Sequence, residues 1–342
     1  MINEKAEKES LSIKQTPLEV YTIPLKKGEA MTDEEFDNLP LSEKQIIQDK
    51  QTKFTTEMNS ALKEQRALEA GTAWADLSHF EVVALSGPER LTWLNLLTTQ
   101  DHENLLAGQW QHALILDPKG HIEHQFFLVD DGDTTWLVVN PGRSAELISH
   151  LEKMKFRAQV EIHDATAEFA VLRAPGKMDE IAGPYALVPR AELANMIETF
   201  NSVATQVGTW ALDAMRVAAG LPRIGFETDH KSIPNELGLL NSAVHLNKGC
   251  YRGQETVAKI NNLGNPPRRL VMLHLDGTEV NFPKVGTPVE NDGVVVGYLG
   301  TVARHHELGP IALAVVKRNT PLGATLSVGG IPAAQEAIAA GN

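Results

Sequence analysis

The chain's one cysteine, Cys250, sits in Lys248-Gly249-Cys250-Tyr251-Arg252-Gly253-Gln254-Glu255, where a nucleophile, two cations and two glycines fall close together. Cations within two residues of a thiol favour the thiolate, its reactive form. Lys248 and Arg252 are therefore read as supports for Cys250, with Gln254 as a further positioning group. Gly249 and Gly253 allow close or left-handed turns that present a side chain into a cavity. Tyr251 reads equally as a cavity wall or as core. Between Lys248 and Leu270 five basic residues (Lys248, Arg252, Lys259, Arg268, Arg269) stand against one acidic residue, Glu255. Such a concentration suits a carboxylated or phosphorylated ligand, or a local RNA contact. On residue types alone, a small buried cysteine beside surface-paired arginines explains the stretch equally well.

The histidines do less. His121 and His124 flank Glu123, but in a strand beginning by Ile122 residues three apart point to opposite faces, so the two cannot share a metal. His305-His306-Glu307 leads into Leu308-Gly309-Pro310 and reads as a polar loop. No metal site is predicted. The sequence holds no Walker phosphate loop, strand-linked G-x-G-x-x-G, G-x-S-x-G or H-E-x-x-H, which removes the common nucleotide-binding, hydrolase and zincin motifs. A single cysteine excludes an intrachain disulfide framework or a Cys-rich cage, so no stable cluster is expected and a reducing compartment is.

The elements that must position these residues are short and mixed. A strand is predicted over Phe80 to Ser86, a helix over Glu89 to Leu97, and apolar strands over Ala113 to Leu116, Gln125 to Val129 and Thr135 to Val139, separated by Asp-Pro-Lys-Gly and Asp-Asp-Gly-Asp turns. Ser144 to Met154 and Arg190 to Phe200 carry helical periodicity, and Glu168 to Leu172 is a strand. Hairpins among alternating helices and strands argue for an α+β fold. Beyond Pro266-Pro267, short strands (Arg269 to Leu275, Thr287 to Glu290, Val294 to Val302, Ile311 to Val316, Thr325 to Val328) suggest a small antiparallel barrel or sandwich. The polar first segment contains a capping-box-like start at Thr32 and apolar residues at helical spacing to Glu69, which predicts a docked helix or two. The resulting plan is a peripheral, partly helical extension over 1–70, an α+β region over 71–265, a β-barrel over 266–332 and a tail over 333–342.

The length of 342 residues fits two or three such units. A net charge of −13 opposes non-specific adhesion to nucleic acid or anionic membrane, so an anionic partner must meet a local basic patch. No apolar leader core opens the chain and no stretch is apolar enough to span a bilayer, so a soluble, cytoplasmic protein without membrane partners is expected.

The string K-G-C-Y-R-G-Q-E resembles the signature of the YgfZ family of folate-binding proteins, relatives of the glycine-cleavage T-protein (aminomethyltransferase). Asp76-Leu77-Ser78-His79, Ser86-Gly87-Pro88, Leu97-Thr98-Thr99, Arg216-Val217-Ala218-Ala219-Gly220-Leu221-Pro222, Gly225-Phe226-Glu227 and Ile233-Pro234-Asn235-Glu236 follow in that superfamily's order. The resemblance implies ferredoxin-like α+β units around a cavity for a tetrahydrofolate-type cofactor, completed by a small C-terminal barrel. It implies a role in assembling or repairing iron–sulfur clusters in client enzymes, including tRNA-modifying ones, with Cys250 as the residue relied upon and Arg216 as a folate contact. Glu227 is expected to order the loop after Gly225 rather than to touch ligand.

Two departures from the T-protein argue against its own reaction. Its paired catalytic-turn aspartates match His124 and Gln125 here. Methylene transfer with ammonia release needs a carboxylate to orient the folate amine and balance developing positive charge, which a histidine cannot supply as an anion. The T-protein's Gly-Tyr-Thr-Gly-Glu segment also has no counterpart before Leu187-Val188-Pro189. Two other functions stay open at this point: a folate-dependent one-carbon transferase with His124 as its acid or base, and an RNA- or partner-binding module built on the basic 248–270 segment.

Overall fold

Strand periodicity decides the architecture. The computed structural model describes residues 60–177, 183, 185–264, 266–277 and 282–338. The expected helix starting at Thr32 lies outside these residues up to position 59, and a helix occupies 60–69. The first sheet has β1 (Ala73–Asp76) between β7 (Phe169–Arg173) and β9 (Thr205–Val207), with β8 (Tyr185–Pro189) beyond β7. The pair β1 and β9 is parallel. The second sheet runs β3 (Trp110–Leu116), β4 (Ile122–Asp130), β5 (Thr134–Val139), β2 (Glu81–Ser86) and β6 (Glu161–Asp164), antiparallel throughout.

The predicted α+β fold and its C-terminal barrel are both present. Six strands close the barrel: β10 (Arg268–Leu275), β11 (Pro288–Asn291), β12 (Val294–His305), β13 (Gly309–Lys317), β14 (Thr325–Val328) and β15 (Ile331–Ala337). β15 carries the barrel past residue 332 into the stretch expected as tail. Its alternation of small and polar residues, Pro332-Ala333-Ala334-Gln335-Glu336, gives a weak strand signal, and pairing with both β10 and β14 is what holds it.

β10 and β13 show why the barrel stays attached. Along β10, Val271 and Leu273 point into the barrel core, whereas Leu270 and Met272 join a second apolar cluster with Leu114, Ile122, Val217, Leu239 and Tyr251. Along β13, Ala312 and Ala314 face inward, and Ile311, Leu313 and Val315 face that same second cluster. A strand apolar on both faces must be covered on both, so these two strands fasten the barrel to the α+β region.

A buried carboxylate completes the junction. Glu227 is fully buried; Oε1 accepts from Thr301 N (2.6 Å), and Oε2 accepts from Arg223 N (2.8 Å) and Arg216 Nη1 (3.3 Å). Arg216 also donates to Thr301 Oγ1 at 2.6 Å, and Tyr298 Oη donates to the Glu227 carbonyl at 3.1 Å. The expected ordering role of Glu227 is therefore a joint between loop, helix and barrel. Gly300 makes room for it: a Cβ there would lie 2.6 Å from Glu227 Oε1. Beside the Pro266-Pro267 boundary, Arg268 ties Asp229 (2.6 and 3.1 Å) to Glu236 (3.0 and 2.8 Å).

Glu227→Leu strands buried polar partners and should lower unfolding free energy by about 3–5 kcal/mol; Gly300→Ala should act in the same direction through the clash. Urea unfolding checks both, and a loss under about 1 kcal/mol for Glu227→Leu would mean the joint carries little. Burial raises the Asp229 carboxyl, but hydrogen bonds from Arg268, the Lys231 amide and Ser232 outweigh it and hold it well below its ordinary 3.8. A carboxyl depressed by folding contributes stability above its unfolded pKa and loses it as pH falls. Stability should thus fall as pH drops below about 4, and Asp229→Asn should flatten that fall.

Candidate functional site

Between the two sheets lies a cavity enclosing about 1080 Å³ of free space, its mouth included. Phe80, Phe127 and Tyr185 supply aromatic walls, and Phe127 and Tyr185 have ring centroids 5.2 Å apart. The far wall is the helix Thr209–Ala218, which contributes Leu212, Asp213 and Arg216, followed by Leu221, Pro222 and Arg223. Asp213 pairs with Arg216 Nε (3.2 Å) and Arg223 Nη1 (3.3 Å). Arg223 also covers the Phe226 ring, 3.8 Å from its centroid. Burial lowers the Arg223 pKa, with Asp213 opposing. Arg173, fully buried, lines the cavity too and donates to the carbonyls of Ala73, Ala174 and Gly176.

Strand alternation separates the two residues that match the T-protein aspartates. Gln125 and Phe127 face the cavity. His124 is on the other face of β4, buried against His150 with ring centroids 5.0 Å apart, and burial pushes it down to about 4. His124, expected at the ligand as the acid or base of a one-carbon transferase, is thus absent from the cavity wall, because neighbouring strand residues point oppositely. Gln125 is held at both ends: Oε1 accepts from Ile224 N (2.9 Å), while Nε2 donates to Pro222 O (3.3 Å) and lies 3.0 Å from His112 Nε2.

Arg216 does line the cavity, as expected of a ligand contact, yet its guanidinium already serves Asp213, Leu221 O, Glu227 and Thr301. Tyr251 is core rather than cavity wall: it is buried in the junction cluster, and burial pushes its phenol up to about 12. Asp213, Arg223 and His112 escape sequence reasoning. The one signal available is the spacing of Asp213 and Arg216, one helical turn apart.

The Cys250 segment lies away from the cavity lining, and its neighbours act as a frame. Lys248 Nζ donates to four oxygens, Asn95 O and Oδ1, Thr98 O and Gln100 O, at 2.5 to 3.0 Å. Gln254 Nε2 donates to Lys248 O at 3.3 Å and closes the loop. Gly253, at φ +82°, packs so closely on the β3–β4 turn that a Cβ would sit 2.7 Å from Asp117 O. Tyr251 anchors inward, Arg252 pairs with Glu123 at 3.4 Å, and Cys250 is left exposed. Lys248 thus grips carbonyls, and the segment turns the thiol outward instead of into a cavity.

The basic stretch is committed internally as well. Arg268 holds two carboxylates, and Arg269 donates to Arg318 O, Thr320 O and Gln335 Oε1. Near the junction, Glu69, His305 and His306 bring three donor atoms within 4.8 Å of one another. Glu69 Oε1 lies 3.0 Å from His306 Nε2, and Gln65 bonds Arg304 O and His306 N, so the helix over 60–69 is clasped to the β12–β13 turn. His305 Nδ1 accepts from the Glu307 and Leu308 amides, which leaves its proton on Nε2 and makes it a poor metal donor.

The chain and its fold have relatives. A family model described as the GCVT N-terminal domain matches residues 42–186. The aminomethyltransferase of Symbiobacterium thermophilum is 27% identical over 85% of each chain, and that of Rippkaea orientalis is 26% identical over 75% of this chain and 81% of its own. The glycine cleavage system aminomethyltransferase T from Bartonella henselae has the same fold, with a TM-score of 0.69 at 18% identity over 81% of this chain and 88% of its own. Sequence and fold together support the aminomethyltransferase-like superfamily that the motifs resemble.

An exposed thiol on a folded frame should react without unfolding. One thiol per chain is expected to titrate with Ellman's reagent in the native protein, at a rate within about tenfold of the denatured chain. Reaction only after denaturation would return Cys250 to the protein interior.

Proposed function

We propose that the chain binds a tetrahydrofolate-type ligand in the central cavity and supports assembly or repair of iron–sulfur clusters in client enzymes, including tRNA-modifying ones, through Cys250. The observation that carries this reading is Gln125. It faces the cavity where the T-protein has an aspartate, and backbone groups occupy both ends of its amide. The cavity's carboxylate, Asp213, is shared by two arginines. Such a site can hold a folate but, among the described residues, lacks an unpaired carboxylate to balance the charge that develops in methylene transfer. Retention of a ligand cavity without that group favours a binding protein of the YgfZ kind over a working transferase.

The chemistry of the walls suits the ligand. A pteridine would lie against Phe80, Phe127 and Tyr185, and carboxylates of a glutamyl tail would meet the Arg223 side of the lining. The thiol is exposed and outside that lining, so it acts on a second molecule rather than on bound folate. A client enzyme is the partner such a thiol suits. An RNA-binding role for the 248–270 segment is not favoured, because Lys248, Arg252, Arg268 and Arg269 have internal partners.

Under reducing conditions, tetrahydrofolate at 100 times its dissociation constant should stabilise the protein by about 2.7 kcal/mol, visible as a raised melting temperature. Cys250→Ala should keep that shift yet fail to restore iron–sulfur enzyme activity in a strain lacking the protein. Absence of the shift removes the folate half of the reading, and full complementation by Cys250→Ala removes the thiol half.

A further inference from the structure

His112 carries a feature that the proposed reading does not use. It lies on β3, lines the cavity, and stacks beside Phe127 with centroids 4.7 Å apart. Only 4% of it is exposed, and Nδ1 has no hydrogen-bond partner among the described residues. Its other nitrogen meets Gln125 Nε2 at 3.0 Å.

The polarity of that contact follows from the backbone. The Ile224 amide can only donate and the Pro222 carbonyl can only accept, so Gln125 must turn its oxygen to Ile224 and its NH2 to Pro222. The same NH2 then points at His112 Nε2, which must accept. A neutral imidazole that accepts on Nε2 carries its proton on Nδ1. Burial pushes His112 down to about 4, so the ring is neutral at physiological pH. The orphan Nδ1 is therefore a donor, and a buried donor left unpaired costs free energy that an acceptor on a bound ligand would recover.

We propose that His112, fixed in its Nδ1–H form by Gln125, is the hydrogen-bond donor that selects the cavity's ligand, requiring a ring acceptor such as the carbonyl of a 4-oxopteridine. Gln125 is the positioning residue and His112 the group that touches ligand. An aspartate in place of Gln125 would accept from His112 Nε2 rather than donate to it. The substitution that removes a carboxylate thus also sets what the neighbouring histidine offers. This rests on the folate reading above and adds the atom that discriminates among pteridines.

Two measurements test it. Long-range ¹H–¹⁵N spectra, with the His112 signal among the 12 histidines assigned by its loss in His112→Phe, should show the Nδ1–H form in the unliganded protein, and Gln125→Leu should disturb that signal. An Nε2–H signal in the wild type overturns the inference. Calorimetry with tetrahydrofolate and its 4-amino analogue, which has a donor in place of the acceptor, should give at least about tenfold preference for tetrahydrofolate. His112→Phe should bind both within about threefold of one another. Equal binding by the wild type, or a preference that survives in His112→Phe, overturns the role of His112 and leaves the folate reading intact; failure of either ligand to bind the wild type overturns both. If His112→Phe does not fold, the His112 ¹⁵N signals of the wild type decide: they should move on adding tetrahydrofolate, and unmoved signals at saturation overturn the inference.

Discussion

Glu227 is the constraint on which the arrangement turns. A carboxylate with no exposed surface must have its lone pairs met by the protein, because desolvation of an unpaired charge costs several kcal/mol, roughly. Here the partners come from three places: the amide of Arg223 in the loop, the guanidinium of Arg216 on the helix Thr209–Ala218, and the amide of Thr301 in the barrel. Two of those residues, Arg216 and Arg223, also form the cavity wall. Satisfying one buried charge therefore sets the distance between barrel and cavity. It also explains why Gly300 has no side chain and why Arg216 has little left to offer a ligand.

The same economy governs the K-G-C-Y-R-G-Q-E segment. Five of its residues have structural work: Lys248 holds four oxygens, Gly253 lets two backbones touch, Tyr251 fills the junction core, Arg252 pairs with Glu123, and Gln254 closes the loop and opens the helix that follows. Cys250 remains as the outward group. Cavity and thiol are thus two sites on one scaffold, as the proposed function requires of a protein that binds a ligand at one and acts on a partner with the other.

Much of the fold was legible in the sequence where side-chain period is strong. The strands from Val82 to Val139 and the helix from Ser144 follow the apolar pattern to within a few residues, and the Gly- and Pro-spaced strands of the barrel do likewise. The helix Thr209–Ala218 and β8 went unpredicted, and the other elements that escaped are short or held from outside. β1, β6 and β9 have three or four residues each, and β15 is small and polar, so pairing rather than local preference makes them strands. At the site, the motif named Cys250 and its supports, but not their directions. His124 and Gln125 are adjacent, and only the pairing of β4 decides which of them sees the cavity. The His112–Gln125 contact is a diagonal one between neighbouring strands, which no spacing along the chain encodes.

In the proposed function, folate and thiol chemistry occupy different places on this molecule. A crystal structure of the protein with tetrahydrofolate decides between one site and two. The pteridine should lie between the two sheets, against Phe127 and beside His112, with Cys250 still exposed and out of contact with the ligand. A folate seated on the Cys250 loop, or one bonded to its sulfur, would contradict it.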